Sequence, residues 1–123
     1  MLFFLVGNKG NRMQFQPIVN SLHEYTQKVE PYMNKDNQAC IKAYFFDFKS
    51  EPTAFSKDLI DRQALFALQE IKEIMGPNGS HSNQQFSLIT HSLGSYVAYT
   101  AMNDKEFPAE SLLNVIHLGS PNL

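Results

Sequence analysis

The residues of this chain best suited to chemistry are Thr90-His91-Ser92-Leu93-Gly94. They close Phe86–Thr90, a short run rich in β-branched and aromatic types, and open a segment in which Leu93, Val97 and Ala101 recur at helical spacing. The pattern predicts a strand, a tight turn and a helix beginning at Ser92, with the serine at the apex. In such a nucleophile elbow a strained turn lifts the hydroxyl above the sheet, where it can attack an acyl carbonyl. Strand and helix pass close together there, so the residues two before and two after the serine must be small. Gly94 meets that demand, whereas Thr90 stands where glycine is usual. His91 is expected to point away from the serine. The plainer reading is a serine that only caps a helix. It accounts for the residue type but not for a strand-to-helix junction downstream of two β/α units.

Acyl transfer also needs two donors aimed at the developing oxyanion, and loss of one costs roughly 10²–10³ in rate. The backbone N–H of Leu93 is one candidate. The other is expected in the loop leaving the first strand, Val6-Gly7-Asn8-Lys9-Gly10-Asn11, where this architecture supplies it. Gly7 and Gly10 let the chain turn and approach a ligand, so Asn8 is the preferred donor and Lys9 the second choice. A glycine turn alone is common; its pairing with the elbow gives it this meaning.

Four runs must position these loops: Leu2–Val6, Lys42–Phe48, Phe86–Thr90 and Asn114–Leu118. Their apolar positions are nearly continuous, as strands buried on both faces of a parallel sheet require. Between them lie predicted helices from Phe15 to about Val29, ending near Pro31, and from about Ala54 to Met75. The first carries Phe15, Ile18, Val19, Leu22 and Tyr25 on one face, the second Leu59, Gln63, Phe66, Ile71 and Ile74. Gly76-Pro77-Asn78-Gly79 is expected to stop the second by removing a donor and permitting positive φ. Glu106–Ser111 reads as a loop. A three-layer α/β architecture follows, with a mostly parallel sheet of about four strands and helices on both faces. With the strand from residue 42 outermost, then the first, third and fourth in order, both loops would lie where the winding reverses, and open α/β sheets bind ligands there.

A histidine base and an orienting acid should follow the serine in the order Ser, Asp/Glu, His. Asp104 and His117 have that order but not the expected placement. Asp104 is twelve positions beyond Ser92, on the order of 18 Å along a helix. His117 lies within a predicted buried strand and reads as a hydrogen-bonded core or pocket residue. Asp47 ends the second strand on the functional rim, where a buried carboxylate could be oriented toward the site, but it is expected instead to cap the segment after it. His23 reads as a solvated helix residue and His81 as a loop residue. The missing partners are expected beyond Leu123, which makes residues 1–123 a partial domain.

With 123 residues and 43% hydrophobic content, one domain is expected. The net charge of −2 and scattered Lys and Arg give no basic stripe for a phosphate backbone, so nucleic acid is set aside. Cys40 is the single cysteine; it can form no disulfide within the chain, and no metal or cofactor is expected. Asn78-Gly79-Ser80 has the form of an N-glycosylation acceptor, which would need a lumenal or extracellular setting. No segment approaches the ~20 apolar residues of a membrane span.

Four segments together carry a family resemblance: Phe3 through Gly10; Phe46-Asp47-Phe48 through Glu51, Ala54 and Phe55; His91-Ser92-Leu93-Gly94; and Leu118-Gly119-Ser120-Pro121. In them the chain resembles the catalytic domain of glycosylphosphatidylinositol inositol-deacylases, a lipase-like branch of the α/β-hydrolases. It departs from that pattern at Val6, where proline is usual, at Thr90, and at Asn122, where histidine is usual. The resemblance implies an α/β-hydrolase fold, with Ser92 attacking the fatty acyl ester on the inositol ring of a glycosylphosphatidylinositol lipid. Asn8 and Leu93 would then donate to the oxyanion. It also implies residence at the endoplasmic reticulum membrane, with membrane association through parts outside this chain. Two alternatives stay open: another lipase or esterase with the same elbow, and a non-catalytic hydrolase fragment.

Overall fold

The computed structural model describes residues 1–7, 10–29, 32, 41–49 and 56–121. Asn8, Lys9, Pro31, Cys40, Glu51, Ala54, Phe55 and Asn122, which the sequence singled out, lie outside the described residues.

The strands are β1 (Leu2–Leu5), β2 (Ala43–Phe45), β3 (Phe86–His91) and β4 (Leu112–Leu118), and the α-helices α1 (Gln16–Val29), α2 (Lys57–Met75) and α3 (Gly94–Met102). All strand pairs are parallel, in the order β2-β1-β3-β4. This is the order under which the winding reverses between β1 and β3, so their two outgoing loops emerge side by side.

β1 bears out the two-sided burial inferred from its continuous apolar run. Phe3, Phe4 and Leu5 are buried completely. On one face Phe3 meets Tyr44, Phe46 and Phe86, and α2 joins that layer through Phe66 against Phe46. On the other, Phe4 packs on Phe15 and Phe45. The α/β class and its helix-covered parallel sheet are therefore as expected.

Several boundaries and faces differ. β1 stops at Leu5, and β2 spans three residues because the chain turns away at Asp47, whose Oδ1 accepts the Lys49 N–H at 2.8 Å. That bond is the capping role expected of Asp47. β4 begins at Leu112, two residues early, and is not buried on both faces: Leu113 and Ile116 are 57% and 47% exposed. It is an edge strand, covered on one side only among the described residues. A 3-10 turn, Ala109–Ser111, interrupts the expected loop before it.

A second 3-10 turn, Arg12–Phe15, precedes α1, with Asn11 as its N-cap through a side-chain bond to Met13 N–H. Tyr25 does not share the buried face; it is 65% exposed. α2 is capped by Ser56. Its buried stripe is Gln63, Ala64, Ala67, Leu68, Ile71 and Met75, so small residues share the buried side while Phe66 is 40% exposed. α2 packs closely on α3, and such close approach favours alanine over the larger residues of the neighbouring stripe. α2 ends without positive φ at Gly76, which is extended (φ −66, ψ 173) and donates its N–H to Lys72.

Tyr44 of β2 donates a hydrogen bond to the Glu70 carboxylate of α2. That bond, followed by partial burial and by the charges of Glu70 and Glu73, pushes the phenol up from 10.0 to about 12. A pKa raised on folding stabilises the native state below the unfolded value and loses that contribution as pH climbs through the folded one. Stability is thus expected to hold up to about pH 10 and to lose this component between pH 10 and 12. Thermal melts of Tyr44→Phe across that window should lack the component; an identical alkaline decline in both proteins would refute the coupling.

Candidate active site

Ser92 follows the last residue of β3 with φ 52, one of two non-glycine residues at positive φ among those described. α3 begins at Gly94, not at the serine as the spacing suggested. The reason is this left-handed residue: a helix cannot contain it, so strand and helix are joined through a two-residue bend, Ser92-Leu93. An L-residue held there costs roughly 1–2 kcal/mol and persists only where its surroundings impose it.

The surroundings do so through main-chain bonds. The Ser92 N–H donates to Leu118 O at 3.0 Å, which continues the β3–β4 ladder one residue past the strand. The Ser92 carbonyl accepts from both the N–H (3.2 Å) and the Oγ (2.9 Å) of Ser95. Ser95, buried at the start of α3, was not singled out from sequence. Its signal was a serine three residues after the apex, the spacing of a side-chain bond back to a turn carbonyl.

Two glycines allow the close passage. A Cβ on Gly94 would fall within 3.0 Å of the carbonyl oxygens of Leu5 and Val6, and one on Gly7 would lie 2.8 Å from both His91 O and Ser92 Cβ. The same Gly7 Cβ would stand 3.1 Å from Leu93 N. Gly7 and Gly10 are thus required for space rather than for turning, since neither adopts positive φ. Gly10 N–H closes the loop onto Gly7 O at 3.0 Å. The Leu93 N–H has no partner among the described residues and adjoins the serine. Asn8 and Lys9, expected as second donor, lie outside the described residues.

Thr90 finds its room through a bond. Completely buried, it sits opposite His117 in the parallel register, and its Oγ1 is 2.6 Å from His117 Nδ1. His117 Nε2 is in turn 2.9 Å from the Tyr99 hydroxyl of α3. The hydroxyl that replaces a glycine hydrogen is therefore held by a chain linking β3, β4 and α3 directly behind the bend. With both ring nitrogens occupied, His117 is the hydrogen-bonded pocket residue its sequence context suggested, although on an edge strand.

Of the other titratable candidates, Asp104, His23 and His81 are apart from the bend. Asp104 accepts from Glu106 N–H at 2.8 Å in the turn after α3. His23 bonds Gln27 on α1, and His81 bonds Lys42 and Ser80. His91 lies edge-on to Phe15, 6.4 Å between ring centres. Its Nδ1, on the residue before Ser92, and the Ser120 Oγ are buried without a partner among the described residues. No histidine or carboxylate among the described residues is hydrogen-bonded to Ser92. None of those residues forms a cluster of three or more His, Cys, Asp or Glu able to hold a metal.

An apolar cleft of about 360 Å³ runs along α1, lined by Pro17, Ile18, Ser21 and Leu22. No helix among the described residues is long and apolar enough to cross a membrane.

A family model described as the PGAP1-like alpha/beta domain matches residues 1–123. The chain belongs to the PGAP1-like alpha/beta domain family. This agrees with the resemblance drawn from the loop, the Phe-Asp-Phe segment and the elbow, and gives the PGAP1-like chain a coarse function, that of a lipase- or esterase-like hydrolase. No curated protein is matched by the chain.

Proposed function

We propose that this chain carries the acyl-accepting serine of an esterase that removes the fatty acyl group from the inositol ring of a glycosylphosphatidylinositol lipid at the endoplasmic reticulum membrane. Ser92 is the nucleophile, and the Leu93 N–H is one oxyanion donor, with Asn8 the second. The observation that carries the reading is the strained apex: a serine at φ 52 beside an unpartnered backbone N–H, where β3 passes into α3.

In this mechanism the Ser92 Oγ attacks the ester carbonyl, and the negative charge that develops on the carbonyl oxygen is met by fixed main-chain dipoles. Those dipoles need no reorganisation because Gly7, Gly94 and Ser95 already hold the backbone. Collapse of the tetrahedral intermediate expels the inositol hydroxyl and leaves the acyl group on Ser92; water then releases it as a fatty acid. Proton transfer requires a base and an orienting acid besides the serine. The apolar cleft on α1, whose helix follows the oxyanion loop, supports a substrate with a hydrocarbon chain.

A second reading, a hydrolase domain that has kept the bend but not the reaction, draws on the lack of any base at Ser92 among the described residues. Fatty acid release by the intact protein separates the readings. Inositol-acylated lipid should be cleaved faster than a glycerol ester of the same acid, by about 10²-fold or more if polyol hydroxyls are recognised by hydrogen bonding, and Ser92→Ala should abolish both. Equal rates would indicate a general esterase. No release from either lipid would leave the non-catalytic reading.

A further inference from the structure

The same rim of the sheet carries a second feature, at the carboxyl end of β2. Asp47, Phe48, Lys49, Arg62, Gln63 and Phe66 line an open cleft of about 340 Å³. We infer that this cleft binds the head group of the substrate, as a hydroxyl-rich ring carrying one anionic group.

The chemistry of the lining sets the ligand. The Lys49 ammonium and the Arg62 guanidinium have no ion-pair partner among the described residues, whereas Lys57 and Lys72 are engaged by Asp61 and Glu106. Among the described residues two cations face one carboxylate, Asp47, which favours a singly charged anion over a polyanion. One Asp47 oxygen is committed to the Lys49 N–H at 2.8 Å, and the other can accept from a ligand hydroxyl. That bond also accompanies φ 53 at Lys49, the other non-glycine residue at positive φ among those described, so the turn sets the backbone of this lining residue. Phe66, 40% exposed and braced edge-on by Phe46 and Phe48, offers the apolar wall on which the C–H face of a ring can rest. Arg62 and Phe66 are four residues apart on α2, hence on one side of the helix.

Position links the cleft to Ser92. β2 and β3 flank β1 in a parallel sheet, so the cleft lies two strand spacings, about 10 Å, from the serine's strand and on the same rim. A ring anchored there by its anionic group can extend a substituent toward the bend. The inference deepens the esterase reading and rests on it for the link to substrate, but its test requires no turnover.

The experiment uses intact Ser92→Ala protein, with glycerophosphoinositol, a phosphodiester of single negative charge, as soluble probe and phosphatidylinositol in phosphatidylcholine vesicles as the lipid probe. Calorimetry or vesicle sedimentation should detect binding to one or both. Arg62→Gln and Lys49→Gln should each weaken it about tenfold or more, as loss of a charge-assisted bond predicts, with an unchanged melting temperature. Unphosphorylated myo-inositol and pure phosphatidylcholine vesicles should bind at least about tenfold more weakly. Soluble binding alone assigns the site to a free polyol phosphate, and vesicle binding lost in Arg62→Gln assigns it to a lipid head group. Absence of binding to both probes, or binding indifferent to Arg62 and Lys49, overturns the inference even if Ser92-dependent hydrolysis is intact. Binding by parent protein that releases no fatty acid overturns the esterase reading alone.

Discussion

Replacing Ser92 with glycine is expected to leave a protein that is slightly more stable and unable to form an acyl-enzyme. The serine sits at φ 52, a conformation that costs an L-residue roughly 1–2 kcal/mol and glycine almost nothing. Against this, glycine adds about 0.5–1 kcal/mol of unfolded-chain entropy. The balance leaves a gain of between about 0 and 1.5 kcal/mol for Ser92→Gly. Ser92→Ala keeps the Cβ and the strain, and should melt like the parent. Both variants lose the hydroxyl, and removal of a serine nucleophile lowers turnover by about 10⁶-fold. Fluorophosphonate labelling followed by mass measurement reads the chemistry, and thermal melts read the strain. A labelled Ser92→Ala protein would place the nucleophile elsewhere. A Ser92→Gly protein less stable than Ser92→Ala would show that the bend stores no strain.

The largest effect on folding is expected at Gly94. Its hypothetical Cβ falls within 3.0 Å of the Leu5 and Val6 carbonyls, which belong to the end of the central strand and the loop after it. Those atoms are backbone fixed in the buried core, so a methyl group there cannot be absorbed by a rotamer change. Gly94→Ala should cost about 3 kcal/mol or more, at the upper end of overpacking penalties. That is a large share of a typical domain's stability of about 5–15 kcal/mol. Urea denaturation measures it directly, and a midpoint within error of the parent would mean that α3 can retreat from β1 freely. Gly7→Ala provides the contrast. Its Cβ meets His91 O, Ser92 Cβ and, at 3.1 Å, Leu93 N, so the loop must back away from the very N–H assigned to the oxyanion. In that variant acyl transfer should fall by about 10²–10³, the usual consequence of one lost donor, beyond what any loss of folded protein explains.

These two substitutions mark how much of the protein was legible beforehand. β1 and β3 were readable because a strand covered on both faces has few polar positions, and Leu2–Leu5 and Phe86–Ile89 are nearly continuous in apolar residues. The bend was readable because only one arrangement joins such a strand to a helix through a lone serine with glycine two residues on. Less legible was which stripe of α2 turns inward. Leu59 and Phe66 are the larger apolar residues, but Ala64 and Ala67 are the buried ones, because the space left where α2 packs closely on α3, not hydrophobicity alone, chooses the side chain. The edge character of β4 was hidden too: burial depends on which neighbours a strand has, and its own residues do not state that.

By itself, the sequence determined the class of fold, the order of strands and helices, and the place of Ser92 at a turn, since all three follow from local periodicity and the steric demands of single residues. Only the tertiary structure decided that Thr90 is held by His117 and Tyr99, that Ser95 and Leu118 fasten the serine's backbone, and that Gly7 leans on the bend. Those contacts join residues far apart in the chain or set by a two-residue bend, and no local pattern encodes distances across a sheet. They arise when strands pair and register is fixed, because then the same parallel ladder that buries Phe3 and Phe4 also brings Thr90 opposite His117.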